Sequence, residues 1–244
     1  MIPKIIHYCW FGGQELPELA LKCIKSWKKY LPEYEIMRWD ESSFDIESNQ
    51  YVKEAYDNKK YAFVTDYVRL FVMYTYGGIY MDTDVEVKKP LDAFLSNKAF
   101  SGFESYHDVP TGIMASEKGF VGMKELLSYY DNAHFVKEDG SLDTTTNVSI
   151  ITNYYTARGL KRNNTYQVIE GFAFYPRVYF CPNKDDIECY MNNIYTIHHM
   201  AGSWLSVEEK KKKNSFSLKL KMFLSRAFKK IFGRELYEKI RKIV

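Results

Sequence analysis

The sequence predicts an α/β fold, and three observations support this prediction. A short apolar run, an amphipathic segment and a second apolar run follow one another within the first forty residues, which is the order of a βαβ unit with parallel strands. A strongly periodic helix then leads through two glycines into another short strand. The second half of the chain mixes short strand-like runs with helical segments, which favours a sheet covered by helices.

Each element of the first half has its own signal. The opening strand is apolar and aromatic and ends at Gly12–Gly13. Apolar residues then recur at helical spacing until Leu31–Pro32. A second periodic helix stops at Gly77–Gly78, a pair typical of a helix C-terminus. The predicted elements are strands over 4–11 and 34–39, a polar connection over 42–49, a helix over 17–30, a helix over 61–76, and strands over 79–81 and 85–87.

The second half has shorter elements and weaker patterns. Apolar pairs bounded by glycine or polar residues indicate strands, and runs of ten or more residues with helical spacing indicate helices. The predicted elements are strands over 99–104 and 112–115, helices over 120–130 and 145–157, strands within 166–180 interrupted at Pro176, a strand over 195–199, and a basic helix from residue 217.

Charge divides the chain into two parts. The segment 207–244 contains 13 Lys and Arg against 4 Asp and Glu, a net of +9, whereas residues 1–206 carry −6 of the chain total of +3. We therefore predict a domain over 1–206 and a basic amphipathic helical tail over 207–244. The acidic body excludes a uniformly basic nucleic-acid binder, and 46% hydrophobic residues exclude a disordered or fibrous chain.

The tail has the pattern of an interfacial helix. Apolar residues from Leu218 to Phe232 recur at three- and four-residue steps among lysines, and four lysines precede them at 210–213. Such a helix binds an anionic membrane surface, or else packs on the body of the protein or on a second subunit. We expect no signal peptide, because the opening apolar run breaks at Gly12–Gly13, and no transmembrane helix, because no apolar run of about 20 residues occurs in the printed sequence. We expect a cytoplasmic protein, peripheral on the inner face of the cell membrane.

Two carboxylates, Asp82 and Asp84, follow the strand over 79–81. Strand ends are the usual ligand positions in α/β sheets, and paired carboxylates suit Mg²⁺ or Mn²⁺ shared with phosphate oxygens. Two solvated turn aspartates are the alternative for an isolated Asp-x-Asp. Here Asp66 and Arg69 share one face of the preceding helix. They form either a surface ion pair or a sugar-hydroxyl acceptor beside a diphosphate-binding guanidinium.

These motifs resemble glycosyltransferase family 32. The resemblance rests on residues 61–70 (YAFVTDYVRL) and 74–85 (YTYGGIYMDTDV), on the opening 2–12 (IPKIIHYCWFG), and on the closing 198–204 (HHMAGSW). This family comprises Asp-x-Asp sugar transferases that include capsular-polysaccharide enzymes and mannosyltransferases, and the clostridial glucosylating toxins share the pattern more distantly. The resemblance implies a GT-A (Rossmann-like) fold, a nucleotide-sugar donor, Mn²⁺ or Mg²⁺, and retention of anomeric configuration.

The resemblance also implies roles for individual residues. Asp82 and Asp84 would hold the metal, and Asp66 and Arg69 would hold the donor sugar and diphosphate, so these four residues form the predicted catalytic set. One histidine of the closing strand would be the third metal ligand, with His199 preferred and His198 as the substitute. The other implied donor contacts are Tyr8 and Trp10 at the base and ribose (Trp10 as the stacking platform, unless it packs in the core), Asn147 at the sugar, and Ser203 and Trp204 as a lid over the diphosphate.

The function predicted from the sequence is transfer of a sugar from a nucleotide-sugar donor, with UDP-sugars favoured over GDP-mannose. The expected acceptor is a glycan or lipid-linked molecule in surface polysaccharide synthesis. Glu104, His107 and Asp108 follow a strand end and either lie in solvent or line the acceptor side. A haloacid-dehalogenase-type phosphohydrolase is an alternative, but Glu86 occupies the position where that class has Thr or Val. A non-enzymatic, membrane-associated carbohydrate-binding module is the third possibility.

Overall fold

The computed structural model describes residues 1–183, 186–187 and 190–202 of the 244-residue chain. Within this part, Met1–Met200 forms one compact unit. The predicted domain boundary at 206, the basic tail over 207–244, Ser203 and Trp204 lie outside the described residues. Among the described helices, none combines the length and the apolar character required to cross a membrane.

The compact unit contains nine strands and five α-helices among the described residues. The strands are β1 (Ile5–Cys9), β2 (Glu35–Trp39), β3 (Gly78–Met81), β4 (Val85–Val87), β5 (Ala99–Gly102), β6 (Ile113–Ser116), β7 (Gln167–Ile169), β8 (Phe172–Tyr175) and β9 (Thr196–His198). The helices are α1 (Glu18–Tyr30), α2 (Gln50–Asp57), α3 (Tyr61–Tyr76), α4 (Val121–Ser128) and α5 (Asn147–Thr156).

Seven strands form one mixed sheet in the order β2-β1-β3-β6-β5-β8-β7. β1 pairs in parallel with both β2 and β3, as the opening βαβ pattern predicts. β6 runs antiparallel to β3 and to β5, and β7 runs antiparallel to β8. Five strands therefore run in one direction and two against it. β4 and β9 form a separate antiparallel pair, which brings the end of the compact unit back beside the end of β3.

Most predicted elements are present, and two differences have clear causes. The helix α2 was not predicted, although the Asn49 side chain caps it by accepting a hydrogen bond from the Val52 amide. The residues after Pro176 form a 3₁₀ turn over Arg177–Tyr179 instead of a strand. Proline lacks the amide hydrogen needed for sheet pairing, so the strand β8 ends before it.

The sheet separates two hydrophobic clusters, and the alternation of side chains along β3 shows this division. Ile79 and Met81 lie in one cluster with Trp27 of α1, whereas Tyr80 lies in the other with Val68 of α3. Trp27 also donates its indole N–H to the Val85 carbonyl oxygen at 2.7 Å. Helix α1 therefore fixes β4, the strand that follows the Asp-x-Asp motif.

The turn between α3 and β3 requires glycine at both positions. Gly77 and Gly78 have φ values of +69° and +109°, which residues with a β-carbon rarely adopt. A β-carbon on Gly77 would lie 2.6 Å from the Lys118 amide nitrogen, and one on Gly78 would lie 2.7 Å from the Ile5 carbonyl oxygen. The two glycines thus let the chain leave the helix and enter the sheet directly beside β1.

His7 fixes this turn from inside β1. Its Nε2 lies 2.8 Å from the Gly77 carbonyl oxygen, and its Nδ1 accepts a hydrogen bond from the Trp39 indole at 3.1 Å. Because a carbonyl only accepts and an indole only donates, the ring is neutral with its proton on Nε2. Burial lowers the pKa of His7 to about 4, although the bond to Gly77 opposes this shift.

We expect this histidine to make the protein sensitive to acid. Its pKa is about 4 in the folded chain and about 6.5 when unfolded, so the unfolded state binds more protons between these values and stability falls as the pH drops from 6.5 to 4. Between pH 7 and pH 4.5 the contribution of His7 falls by about 2 kcal/mol. Urea unfolding of wild type and His7→Gln at both pH values measures this difference. An equal loss of stability in the two proteins would contradict it.

Candidate active site

The Asp-x-Asp motif forms the turn that connects β3 to β4. The Val85 amide donates to the Asp82 carbonyl oxygen at 3.0 Å, which closes the turn. The Asp82 amide donates to the Gly112 carbonyl oxygen at 2.8 Å, so the sheet pairing with β6 continues to this residue. Both carboxylates are therefore held at the end of the sheet by backbone hydrogen bonds on either side.

The histidine beside the two carboxylates is His198. Its Nε2 lies 3.3 Å from Asp84 Oδ1 and 3.9 Å from Asp82 Oδ2. One ligand atom from each of these three residues lies within 4.8 Å of the other two. The structure thus places His198, and not the preferred His199, beside the two carboxylates. His198 pairs with Val85 across the β4–β9 ladder, and the next residue points away from the carboxylates.

His199 belongs to a neighbouring ion-pair cluster. Its Nε2 lies 2.9 Å from Glu86 Oε2, and that carboxylate also contacts Lys22 and Lys88. Burial raises the pKa of Glu86, but Lys88, His199 and Lys22 outweigh this and lower it to about 2. Glu86 is therefore ionised, and its contact with His199 holds the residue after β9 against β4.

The charge of His198 is set by opposing effects. Burial lowers the pKa of the imidazole, whereas Asp84, Cys181 and Asp82 raise it, and the net result lies well above its ordinary value. The imidazolium thus balances part of the negative charge of the two aspartates. Its Nδ1 is buried without a hydrogen-bond partner among the described residues.

Arg69 connects helix α3 to the Asp-x-Asp turn. Its NH2 lies 3.2 Å from Asp82 Oδ1 and 3.4 Å from Asp66 Oδ1. The guanidinium also lies over the Tyr80 ring at 4.7 Å, and the Tyr80 hydroxyl donates to Asp82 Oδ1 at 3.1 Å. Burial lowers the pKa of Arg69, but Asp82, Tyr80 and Asp66 raise it above its ordinary value. The predicted helix-face pair is therefore part of the site and is not a surface ion pair.

Asp66 is held by the start of α5. The Asn147 amide donates to Asp66 Oδ2 at 3.1 Å, and the Asn147 side chain donates to the Asp66 carbonyl oxygen at 2.8 Å. Burial raises the pKa of Asp66 to about 6, while Arg69 and the Asn147 amide act against this shift. Asn147 Oδ1 is buried without a protein partner among the described residues. The structure thus places the two predicted donor-sugar residues together.

Gly112 gives Asp82 and His198 the space in which they meet. A β-carbon at this position would lie 2.9 Å from Asp82 Oδ2 and 2.9 Å from His198 Cε1, which is closer than such atoms approach without a shift. Gly112 and Tyr80 are parts of the site that sequence patterns do not reveal. A single glycine before a short strand gives no signal of its own, and the tyrosine is one of 21 in the chain.

We expect Gly112→Ala to impair the site more than the fold. Displacing Asp82 or His198 should lower kcat/KM by about tenfold or more, with an overpacking cost of about 1 kcal/mol in unfolding free energy. Gly122→Ala is a matched control. Gly122 lies in α4, and its β-carbon would be similarly crowded, at 2.6 Å from the Tyr155 hydroxyl of α5, but its nearest neighbours are not site residues. Donor turnover and thermal unfolding of both variants test this. Equal activity in the two variants would contradict the steric role of Gly112.

The remaining predicted donor contacts lie at the end of β1. Tyr8 is buried, and its ring meets the Trp27 ring edge-on at 5.6 Å. Trp10 is partly buried, and its indole donates to the Gln14 carbonyl oxygen at 2.6 Å. Of the predicted site residues in the described part of the chain, Asp66, Arg69, Asp82, Asp84, Asn147 and His198 are joined by the contacts above.

Two fungal relatives match parts of the chain. Inositol phosphoceramide mannosyltransferase 3 of Schizosaccharomyces pombe is 36% identical over 122 residues, which cover 48% of this chain and 34% of that protein. Mannosyl phosphorylinositol ceramide synthase SUR1 of Saccharomyces cerevisiae is 26% identical over 179 residues, which cover 70% of this chain and 47% of that protein. The chain thus matches less than half the length of either relative.

A solved structure shares the fold. The crystal structure of a glycosyltransferase involved in glycosylation of the major capsid of PBCV-1 aligns with 87% of this chain and 100% of its own, with a TM-score of 0.51 and 14% identity. The fold is therefore the GT-A type predicted from the sequence. Residues 17–101 match the family described as "Glycosyltransferase sugar-binding region containing DXD motif". The matched segment contains Asp66, Arg69 and both motif aspartates.

Proposed function

We propose that the protein is a metal-dependent transferase that moves a hexose from a nucleotide-sugar donor to a glycan or lipid-linked acceptor. The observation that carries the proposal is the group formed by Asp82, Asp84 and His198, whose ligand atoms lie within 4.8 Å of one another beside Arg69. A phosphohydrolase or a simple carbohydrate-binding module would not require this group together with the Asp66–Arg69 pair.

The residues present fit a divalent cation. Two carboxylates and one neutral imidazole, which His198 offers once its imidazolium has lost a proton, are donors that Mn²⁺ accepts, and carboxylates alone suit Mg²⁺. Asp82, Asp84 and His198 would hold the ion, which supplies positive charge against the diphosphate of the donor. The site is placed by β3, β4 and β9, three elements fixed by sheet pairing.

The other residues act on the donor. Arg69 presents a guanidinium beside Asp82, where it stabilises negative charge that develops on the leaving diphosphate. Asp66 and Asn147, held together at the start of α5, accept hydrogen bonds from sugar hydroxyls. Tyr8 and Trp10 at the end of β1 would contact the base and ribose, with Trp10 as the stacking surface, and Ser203 and Trp204, outside the described residues, remain the proposed lid over the diphosphate.

The names of the fungal relatives support mannose as the first sugar to test. The experiment measures donor hydrolysis with a panel of UDP- and GDP-sugars, each with and without Mn²⁺ or Mg²⁺. The expected result is metal-dependent release of one nucleotide diphosphate from one donor. Release of phosphate from simple phosphate esters instead would identify a phosphohydrolase, and binding of sugars without turnover would identify a carbohydrate-binding module.

We further propose that the tail over 207–244 holds the protein on an anionic membrane at the cytoplasmic face, near a lipid-linked acceptor of polysaccharide synthesis. Its net charge of +9 and its apolar residues at helical spacing support this. An anionic lipid surface attracts such a tail, and packing on the acidic body is the competing arrangement that the next experiment separates.

A liposome assay tests the role of the tail. The full chain should co-sediment with vesicles containing phosphatidylserine at low salt and be released at high salt. Changing the lysines at 210–213 to glutamate should weaken binding by at least about tenfold, since each basic residue contributes about 1 kcal/mol near an anionic surface. Neutral phosphatidylcholine vesicles are the control. Failure of the wild-type chain to bind anionic vesicles would leave a packing or oligomerisation role.

A further inference from the structure

A third carboxylate lies at the same end of the sheet as the motif aspartates. Glu104 follows β5, which pairs with β6, and β6 pairs with β3. The registers place Ile113 opposite Met81 and Met114 opposite Ser101. Continuing these registers places Asp82 opposite Gly112 and Glu104 opposite Thr111, so both carboxylates lie at the same end of the sheet.

Two residues before β6 lie between this carboxylate and the motif. Gly112 has no β-carbon beside Asp82 and His198, and the buried Thr111 hydroxyl has no hydrogen-bond partner among the described residues. Glu104 is half-buried, and its carboxyl group is acted on by the charges of His198, Asp82 and Arg69. It therefore shares the electrostatic environment of the site.

The segment that carries Glu104 is held by hydrogen bonds and an ion pair. The Glu104 amide donates to the Asp108 carbonyl oxygen at 2.9 Å, and the Asp108 carboxylate pairs with Arg162 at 2.5 Å. Thr152 of α5 bonds both the amide and the carbonyl of Val109, at 3.0 and 2.7 Å. The loop is thus attached to α5 and to the loop after it, and Glu104 is presented from a fixed backbone.

The carboxylate has no role in the ion pairs of the fold. None of the ion pairs in the described part of the chain involves Glu104, whereas Asp108, four residues later, is neutralised by Arg162. Burial raises the pKa of Glu104, and the charge of His198 opposes this shift. A half-buried carboxylate that forms no ion pair among the described residues contributes little to the fold alone, and such groups cluster at functional sites.

We infer that Glu104 is a catalytic residue that binds the attacking hydroxyl of the acceptor, an inference that rests on the proposed transferase function. The donor side of the site is supplied by β3, α3 and α5, so the end of β5 is the side from which a second substrate approaches. A carboxylate accepts a hydrogen bond from a hydroxyl group. The acceptor is therefore an alcohol of a sugar, an inositol or a glycolipid, and water takes the same position when the donor is hydrolysed.

The test compares Glu104→Gln with wild type in the full-length chain. The donor is the nucleotide sugar that the panel of UDP- and GDP-sugars identifies. With it, three quantities are measured: donor KM, the Mn²⁺ dissociation constant, and kcat for hydrolysis. Transfer is then followed with methyl α-mannoside and with inositol phosphoceramide in detergent as acceptor probes. Loss of a hydrogen bond to a charged group should lower kcat for hydrolysis and kcat/KM for the acceptor about 10-fold to 100-fold. Donor KM and the Mn²⁺ constant should stay within about twofold of wild type.

Glu117→Gln is the matched control, because Glu117 follows β6 at the opposite end from Gly112. It should leave all of these quantities unchanged. Wild-type rates in Glu104→Gln, or a rise in its donor KM or Mn²⁺ constant, would overturn the assignment to the acceptor. A wild-type chain that hydrolyses no nucleotide sugar would instead refute the proposed function, and this inference with it.

Discussion

Asp84→Asn is expected to lower metal-dependent donor turnover by at least about 100-fold. Mutating a residue that only hydrogen-bonds to a metal ligand commonly costs about 10- to 100-fold in metal affinity or activity, and here a ligand itself is changed. The amide is neutral and a weaker ligand for a hard cation than the carboxylate it replaces. Asp84 Oδ1 is also the nearer of the two aspartate contacts of His198, at 3.3 Å. The change therefore removes a ligand and a partner that orients the imidazole.

Two measurements separate this effect from a loss of structure. Circular dichroism and urea unfolding without metal should show that Asp84→Asn retains the fold, since Asp84 follows β3 and lies outside both hydrophobic clusters. Asp57→Asn, an exposed change on α2 beside Lys53, should retain wild-type turnover. Wild-type turnover of Asp84→Asn in Mn²⁺ would show that the motif does not hold the metal.

Arg69→Ala is expected to destabilise the fold by about 3 kcal/mol at pH 8, the typical cost of removing one partner from a buried ion pair. The change leaves Asp66 and Asp82 without their shared guanidinium. Asp66 already has a pKa of about 6 in the wild type, and loss of Arg69 raises it further. The folded variant therefore takes up a proton more readily than the unfolded chain, so its deficit should shrink as the pH falls to 5.5.

Urea unfolding of wild type and variant at pH 8 and pH 5.5, without metal, tests this expectation. Arg69→Lys is the matched control, because it keeps the charge and loses only the paired N–H geometry. Adding Asp66→Asn to Arg69→Ala should recover part of the stability at pH 8. A deficit that is the same at both pH values would mean that Asp66 is not the group left unpaired.

Local patterns in the sequence were sufficient for the elements that carry the site. The helix predicted over 61–76 is α3 with the same bounds, and the strand predicted over 85–87 is β4. Their apolar spacing and the glycine pair are local signals, which do not depend on contacts with distant parts of the chain. The helix α2 was missed because its only clear start signal is the cap residue Asn49.

Contacts between distant parts of the chain could not be predicted in this way. The choice between His198 and His199 depends on which residue of β9 faces Val85, and a shift of one residue in that register would exchange them. The placement of Glu104 and Asp82 at the same end of the sheet depends on two sheet registers, through β6. The residues of a single strand do not show which residues of another strand they will pair with.

The pairing of β4 with β9 sets the order in which the site can be assembled during synthesis. Asp82 and Asp84 leave the ribosome early, whereas His198 lies more than a hundred residues later in the chain. The triad cannot close until nearly the whole compact unit has been translated and β9 has joined β4. A nascent chain can therefore bring Asp82, Asp84 and His198 together only after β9 has been synthesised, and shorter chains should bind Mn²⁺ weakly.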